Sequence, residues 1–159
     1  MKKWIFILCI TFIGWQTFSK TNQPGSKIIF NANSQPVVYS GAFNEANTSG
    51  IGVTSNQISF TDSTYRIFCG NSSNDNLQIV FQNESTLKAG RVNFINGTAI
   101  IGYKKGDSTY FSDGSNFTIK ISSYNNKILN GTFSGILKTQ YGTAIHINSG
   151  QFINVPSTN

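Results

Sequence analysis

Phe117-Thr118-Ile119-Lys120-Ile121-Ser122 is the stretch on which the fold turns. In an extended chain Phe117, Ile119 and Ile121 fall on one side and Thr118, Lys120 and Ser122 on the other. That strict period of two marks a strand with one buried and one wet face. Tyr124-Asn125-Asn126-Lys127 follows it. Asparagine tolerates the left-handed backbone that tight hairpins need, so a turn is expected here. The chain then resumes with Leu129, Phe133 and Leu137 at even spacing, and Gly131 and Gly135 share their face. Glycines set between large residues on a strand imply a bend or the close approach of a neighbouring aromatic.

The same grammar extends in both directions. Short strands are expected at 27–31, 36–43, 50–54, 57–61, 64–69, 77–82, 90–95, 98–104, 109–111, 116–123, 128–137, 142–148 and 151–155, some of them pieces of one bent strand. Lys105-Gly106-Asp107 marks a second hairpin, and residues 71–76 form the longest purely polar loop. No stretch beyond the first nineteen residues keeps a helical period for ten residues; residues 86–89 could form a single turn at most. Gly97-Thr98-Ala99-Ile100 returns as Gly142-Thr143-Ala144-Ile145, but two copies do not make a repeat array. Charged residues are only 11% of the chain, too few for the wet faces of a helix-rich protein. Thr, Ile, Phe and Tyr between Asn and Gly breaks read as antiparallel sheet. The expected fold is therefore all-β, an antiparallel β-sandwich or β-barrel of short strands and hairpins.

Domain organisation follows from the N-terminus. Met1-Lys2-Lys3 precedes the apolar run Trp4-Ile5-Phe6-Ile7-Leu8-Cys9-Ile10-Thr11-Phe12-Ile13-Gly14-Trp15, and Thr17-Phe18-Ser19 sets small residues at −3 and −1 of a cleavage site. This is the layout of a secretory signal, and the run falls short of the roughly 20 apolar residues that span a bilayer. Residues 1–19 are read as a signal peptide, 20–26 as a flexible lead-in and 27–159 as a single β domain. The mature chain would carry no transmembrane span and would reside in the periplasm, at the cell surface or in the medium. Cys9 lacks the small residues that precede a lipid-attachment cysteine, which leaves Cys69 as the only thiol and packing as the source of stability. Cys69, in Tyr65-Arg66-Ile67-Phe68-Cys69, reads as a small buried hydrophobe.

Composition and motifs exclude several kinds of chemistry. Two of the twelve Lys/Arg and none of the six Asp/Glu lie in residues 1–19, so the remainder carries +4. Its cations are spread singly apart from Lys104-Lys105, without the clustering of a nucleic-acid binder. His146 is the sole histidine and alternates with Ile145 and Ile147, which places it on a wet face. A metal site needs three or four ligands. Asp75 with Asn71, Asn74 and Asn76 offers oxygens to Ca²⁺ but lacks the regular EF-hand positions and terminal Glu. No G-x-S-x-G elbow occurs. Glu45, Asp62, Asp75, Glu84, Asp107 and Asp113 all sit in or near expected loops, and Asp107 with Asp113 is the pair closest to a glycosidase arrangement. Six Asn-x-Ser/Thr triplets, at Asn47, Asn71, Asn83, Asn96, Asn116 and Asn130, match the asparagine-rich composition. No cofactor is expected.

The C-terminal third carries a resemblance. Residues 120–135, ending Asn130-Gly131-Thr132-Phe133-Ser134-Gly135, are followed by Ile145-His146-Ile147-Asn148-Ser149-Gly150-Gln151-Phe152. Together they resemble the closing strands of small secreted proteins and lipoproteins of Bacteroidetes-type bacteria, whose ends carry a G-T-F-S/T strand and then an x-G-x-F finish. The likeness spans roughly residues 88–155 and implies an all-β envelope domain, with no catalytic residues to transfer. Unlike many such proteins, this chain has no usable lipidation cysteine.

These readings converge on an exported, non-enzymatic β-domain that binds a ligand or partner, a glycan or an envelope protein, or has a structural role. The alternative is a carbohydrate-active hydrolase using loop carboxylates. The ligand-binding candidates are Asn71 and Asn74 in the polar loop with Tyr103 and Tyr110 flanking the Lys104–Tyr110 hairpin. There amides meet rings that could stack on sugar faces.

Overall fold

A computed structural model describes residues 25–42, 49–57, 62–84, 87–92, 99–112 and 114–157. The proposed signal, most of the lead-in, and the parts of the expected strands at 58–61 and 93–95 lie outside them. Among the described residues there is no helix, and eleven strands form one antiparallel sheet nearly closed into a barrel. They are β1 (Lys27–Ala32), β2 (Gln35–Ser40), β3 (Gly50–Gln57), β4 (Asp62–Ser72), β5 (Asp75–Glu84), β6 (Gly90–Arg91), β7 (Ala99–Lys105), β8 (Ser108–Ser112), β9 (Phe117–Asn125), β10 (Ile128–Lys138) and β11 (Ala144–Pro156). All-β architecture is thus as the alternation required.

The order of strands is that of a meander wrapped on itself. β8 and β9 run in the same direction along successive parts of β10, with Lys138 opposite Phe111 and residues 128–135 opposite 125–117, so they act as one bent stave. This leaves nine staves, β3-β4-β5-β7-β8/β9-β10-β11-β1-β2, joined by eight antiparallel steps. Eight reversals restore the original direction, so β2 and β3 must meet in parallel at the seam. They do: Ala42 forms a parallel bridge with Ile51, whose amide donates to the Gly41 carbonyl at 3.0 Å. A second parallel bridge joins Val53 to Ser157 above it. β6 pairs with the edge of β9 opposite β10, and the Val92 amide donates to the Ile119 carbonyl at 2.9 Å. No exposed ladder remains on β9 where it is so covered.

The turns explain the register. Asn126 and Lys127 adopt φ of 49° and 62°, and Asn33 and Ser34 adopt 48° and 67°. Both are two-residue hairpin loops in the left-handed region whose twist suits the flanking strands. The expected strands at 142–148 and 151–155 are one strand, β11. It bends through bulges at Ser149 (φ 53°) and Asn154 (φ 49°), where two of its residues oppose one on β10.

Among the described residues the interior is packed with apolar side chains. Phe117, Ile119, Ile121, Leu129, Phe133, Leu137, Ile145 and Ile147 are all buried, as the alternation required, and belong to one continuous core cluster with Cys69. Aromatic rings run through it. Tyr110 stacks on Tyr103 at 6.3 Å, Tyr103 meets Phe30 edge-on at 5.6 Å, Phe30 lies 5.8 Å from Phe133, and Phe133 stacks on Phe152 at 4.6 Å. Rings of this size close the space that a barrel of short side chains would leave open.

Candidate functional site

Because hairpins alternate between the two ends of a meander, the β1–β2, β4–β5, β7–β8 and β10–β11 turns share one end of the barrel. The polar loop and the Lys104–Tyr110 hairpin therefore come together. The Gly106 amide donates to the Asn74 carbonyl at 2.8 Å, and Lys105 Nζ lies 3.0 Å from Asp75 Oδ2. The sequence alone named both segments but carried no signal of their contact, which is set by pairing of Asp75 with Lys105 across β5 and β7.

Asp75 is the hub of this end. Its Oδ1 accepts the Tyr39 hydroxyl at 2.6 Å, and its Oδ2 accepts Lys105 at 3.0 Å and the Asn71 amide at 3.3 Å. Partial burial alone would raise its pKa, but the Tyr39, Lys105 and Asn71 contacts outweigh that and hold the carboxyl below its usual value. Burial, and then the Asp75 bond, drive the Tyr39 hydroxyl far above the ordinary tyrosine range. Tyr103 shares a side-chain hydrogen bond with Tyr39, and its pKa is pushed up to about 12, chiefly by burial. Every acceptor direction of Asp75 named here is spent on the protein, so the arrangement ties turns together. Asn76 serves the same end, its amide donating to the Ser72 and Ser73 carbonyls at 3.1 and 3.0 Å. No cluster of three or more metal-ligating side chains exists among the described residues.

The four sequence candidates are therefore sorted by depth. Asn71 and Asn74 are exposed in the tip, Tyr110 is half-buried, and Tyr103 is 1% exposed, so its ring faces no solvent. The aromatic that does project at this end is Tyr141, 87% exposed on the β10–β11 turn. That turn is held by Thr139, whose Oγ1 accepts the Tyr141 and Thr143 amides at 3.3 and 3.2 Å while its own amide donates to the Thr143 carbonyl at 2.9 Å. Flanked by Gln140 and Gly142 and outside any alternating run, Tyr141 has no apolar face of a strand to join. Asp107 is exposed at its turn; Asp113 lies outside the described residues.

A second feature lies on the outer face of β9, β10 and β11, where a groove of about 320 Å³ is lined by Thr118, Thr132, Ser134, Ser149 and Gln151 over Gly150 and Phe133. The β11 bulge at Ser149 bends this part of the sheet. The alternation in 117–122 marked Thr118 as outward, but a groove needs three strands in register, which no single segment reveals.

The fold and these surfaces define a class, an antiparallel β-barrel with a filled interior and polar turns. Comparison with protein-family models, with curated proteins and with solved structures finds no match for this chain.

Proposed function

We propose that this chain is an exported, non-enzymatic module of the bacterial cell envelope, which acts by binding a ligand or envelope partner on its outer surface. The observation that carries the reading is the packed interior. A ring-filled barrel leaves binding to turns and outer faces. Asp75 is committed to Tyr39, Lys105 and Asn71. The lysine-led apolar start and the C-terminal likeness to secreted Bacteroidetes-type proteins support export.

Two measurements test it. Intact mass of the protein recovered from a bacterial envelope fraction should lack about nineteen residues and carry no lipid; a diacylated species beginning at Cys9 overturns that part. Pull-down on peptidoglycan and on immobilised glycans should retain the protein without turnover. Release of reducing sugar, abolished by Asp107→Ala with Asp113→Ala, would establish the hydrolase instead.

A further inference from the structure

We propose that the outer groove of β9, β10 and β11 is the ligand site of this barrel and that it takes a neutral, hydroxyl-rich ligand, a saccharide without carboxylate, sulfate or phosphate. This rests on the binding-module reading and names its site and ligand class.

The groove lies at the β11 bulge. At Ser149 two residues of β11 oppose one of β10 and one of β1, so the ladders on both sides of β11 are interrupted at the same point. Gly150 then sits against Phe133, where a Cβ would meet the Phe133 carbonyl oxygen at 2.5 Å and its ring at 2.7 Å. The missing side chain lets the Phe133 ring pack against β11 from inside, while Ser149 and Gln151 on either side of Gly150 are exposed on the outer face. A volume of about 320 Å³ lies at the small end of the range for ligand pockets.

The lining decides the ligand. Thr118, Thr132, Ser134, Ser149 and Gln151 supply four hydroxyls and one carboxamide, and among the described residues no hydrogen bond from these side chains to another protein group is seen. Each hydroxyl both donates and accepts, and the amide does the same with separate atoms. Such a lining matches a ligand whose groups also do both, as sugar hydroxyls do. No cation or carboxylate is among the lining residues, Lys120 standing beside the lining on β9, so the contacts within the groove itself are those of a neutral ligand. Register orders the groups: Thr132 stands opposite both Lys120 and Gln151, and Ser134 stands opposite Thr118. These are two rungs of adjacent strands, a spacing of roughly 5 Å between neighbouring groups that suits successive hydroxyls of one or two sugar rings.

The test uses the exported chain and a panel of immobilised neutral and acidic saccharides, followed by titration of each hit. Thr132→Val and Gln151→Leu keep shape and remove hydrogen-bonding groups, and unchanged thermal unfolding verifies the fold. Each variant should weaken neutral-saccharide binding about three- to tenfold, the factor expected for one lost hydrogen bond. Ser134→Arg, which fills the groove, should abolish it, and Tyr141→Ala at the turn end should leave it unchanged. Binding lost with Tyr141→Ala but kept in the groove variants overturns the site while leaving a binding module. Retention of acidic saccharides only overturns the ligand class. An absence of binding to any saccharide overturns the proposal, and envelope-protein capture in the same experiment would keep the broader reading alive.

Discussion

At the scale of single residues, the molecule depends on a few side chains that meet across strands far apart in sequence. Phe133 is 3% exposed and contacts Phe30, Phe117 and Phe152. Phe133→Ala should cost about 3–5 kcal/mol, the range for truncating a buried aromatic, whereas Lys120→Ala on the wet face should be nearly neutral; denaturant unfolding of both variants checks this. Gly150 is constrained differently. Its backbone dihedrals are open to any residue, yet the Phe133 backbone and ring occupy the place of a Cβ. Gly150→Ala should therefore destabilise by about 1–3 kcal/mol through overpacking. Asp75 gives a pH signature. Its folded-state pKa is depressed below 3.8, so its contribution is fully present above about pH 4 and is lost as the pH falls through the folded value. Asp75→Ala should cost about 1–3 kcal/mol at neutral pH by stranding the Tyr39 hydroxyl. It should also flatten the acid limb of a stability profile followed by thermal unfolding.

At the scale of elements, β10 and β6 stand at opposite extremes. β10 is paired along one edge with β11 and along the other with β9 and then β8. β6 holds two residues on β9 and is flanked by Leu87 and Val92, which are buried against the core. Hydrogen exchange should show the central amides of β4, β5 and β10 opening only with global unfolding, and those of 90–92 opening locally and sooner. Equal protection in both places would mean that the strap is as integral to the barrel as its staves. The alternation of 117–122, the Asn126–Lys127 turn and the even spacing of Leu129, Phe133 and Leu137 all announced the β9–β10 hairpin. Hidden from the same reading was the joining of 142–148 to 151–155. Ser149-Gly150 looks like a turn locally, and only pairing to β1 and β10 on both sides turns it into a bulge.

At the scale of the whole molecule, parity fixes the seam, since nine staves in a meander can meet only through one parallel pair, and ring volume packs the interior. An apolar fluorescent dye should find no internal site, its emission staying flat until a single cooperative unfolding transition; strong binding to the native state would mean that the core is open. What the residues by themselves determined is what depends on neighbours in the chain: strand after strand from a period of two, turns from Asn and Gly, a buried Cys69 and an outward His146. What only the tertiary structure decided is what depends on which strands meet. It brought the two ends of the sheet nearly together, because Ala42 and Ser157 reach β3 across the seam. It sent Tyr103 inward, because the even face of its strand is the wet one, and left Tyr141 projecting. It also assembled the hydroxyl-lined groove from three strands, since lateral register is set by pairing and bulges, which no local pattern encodes.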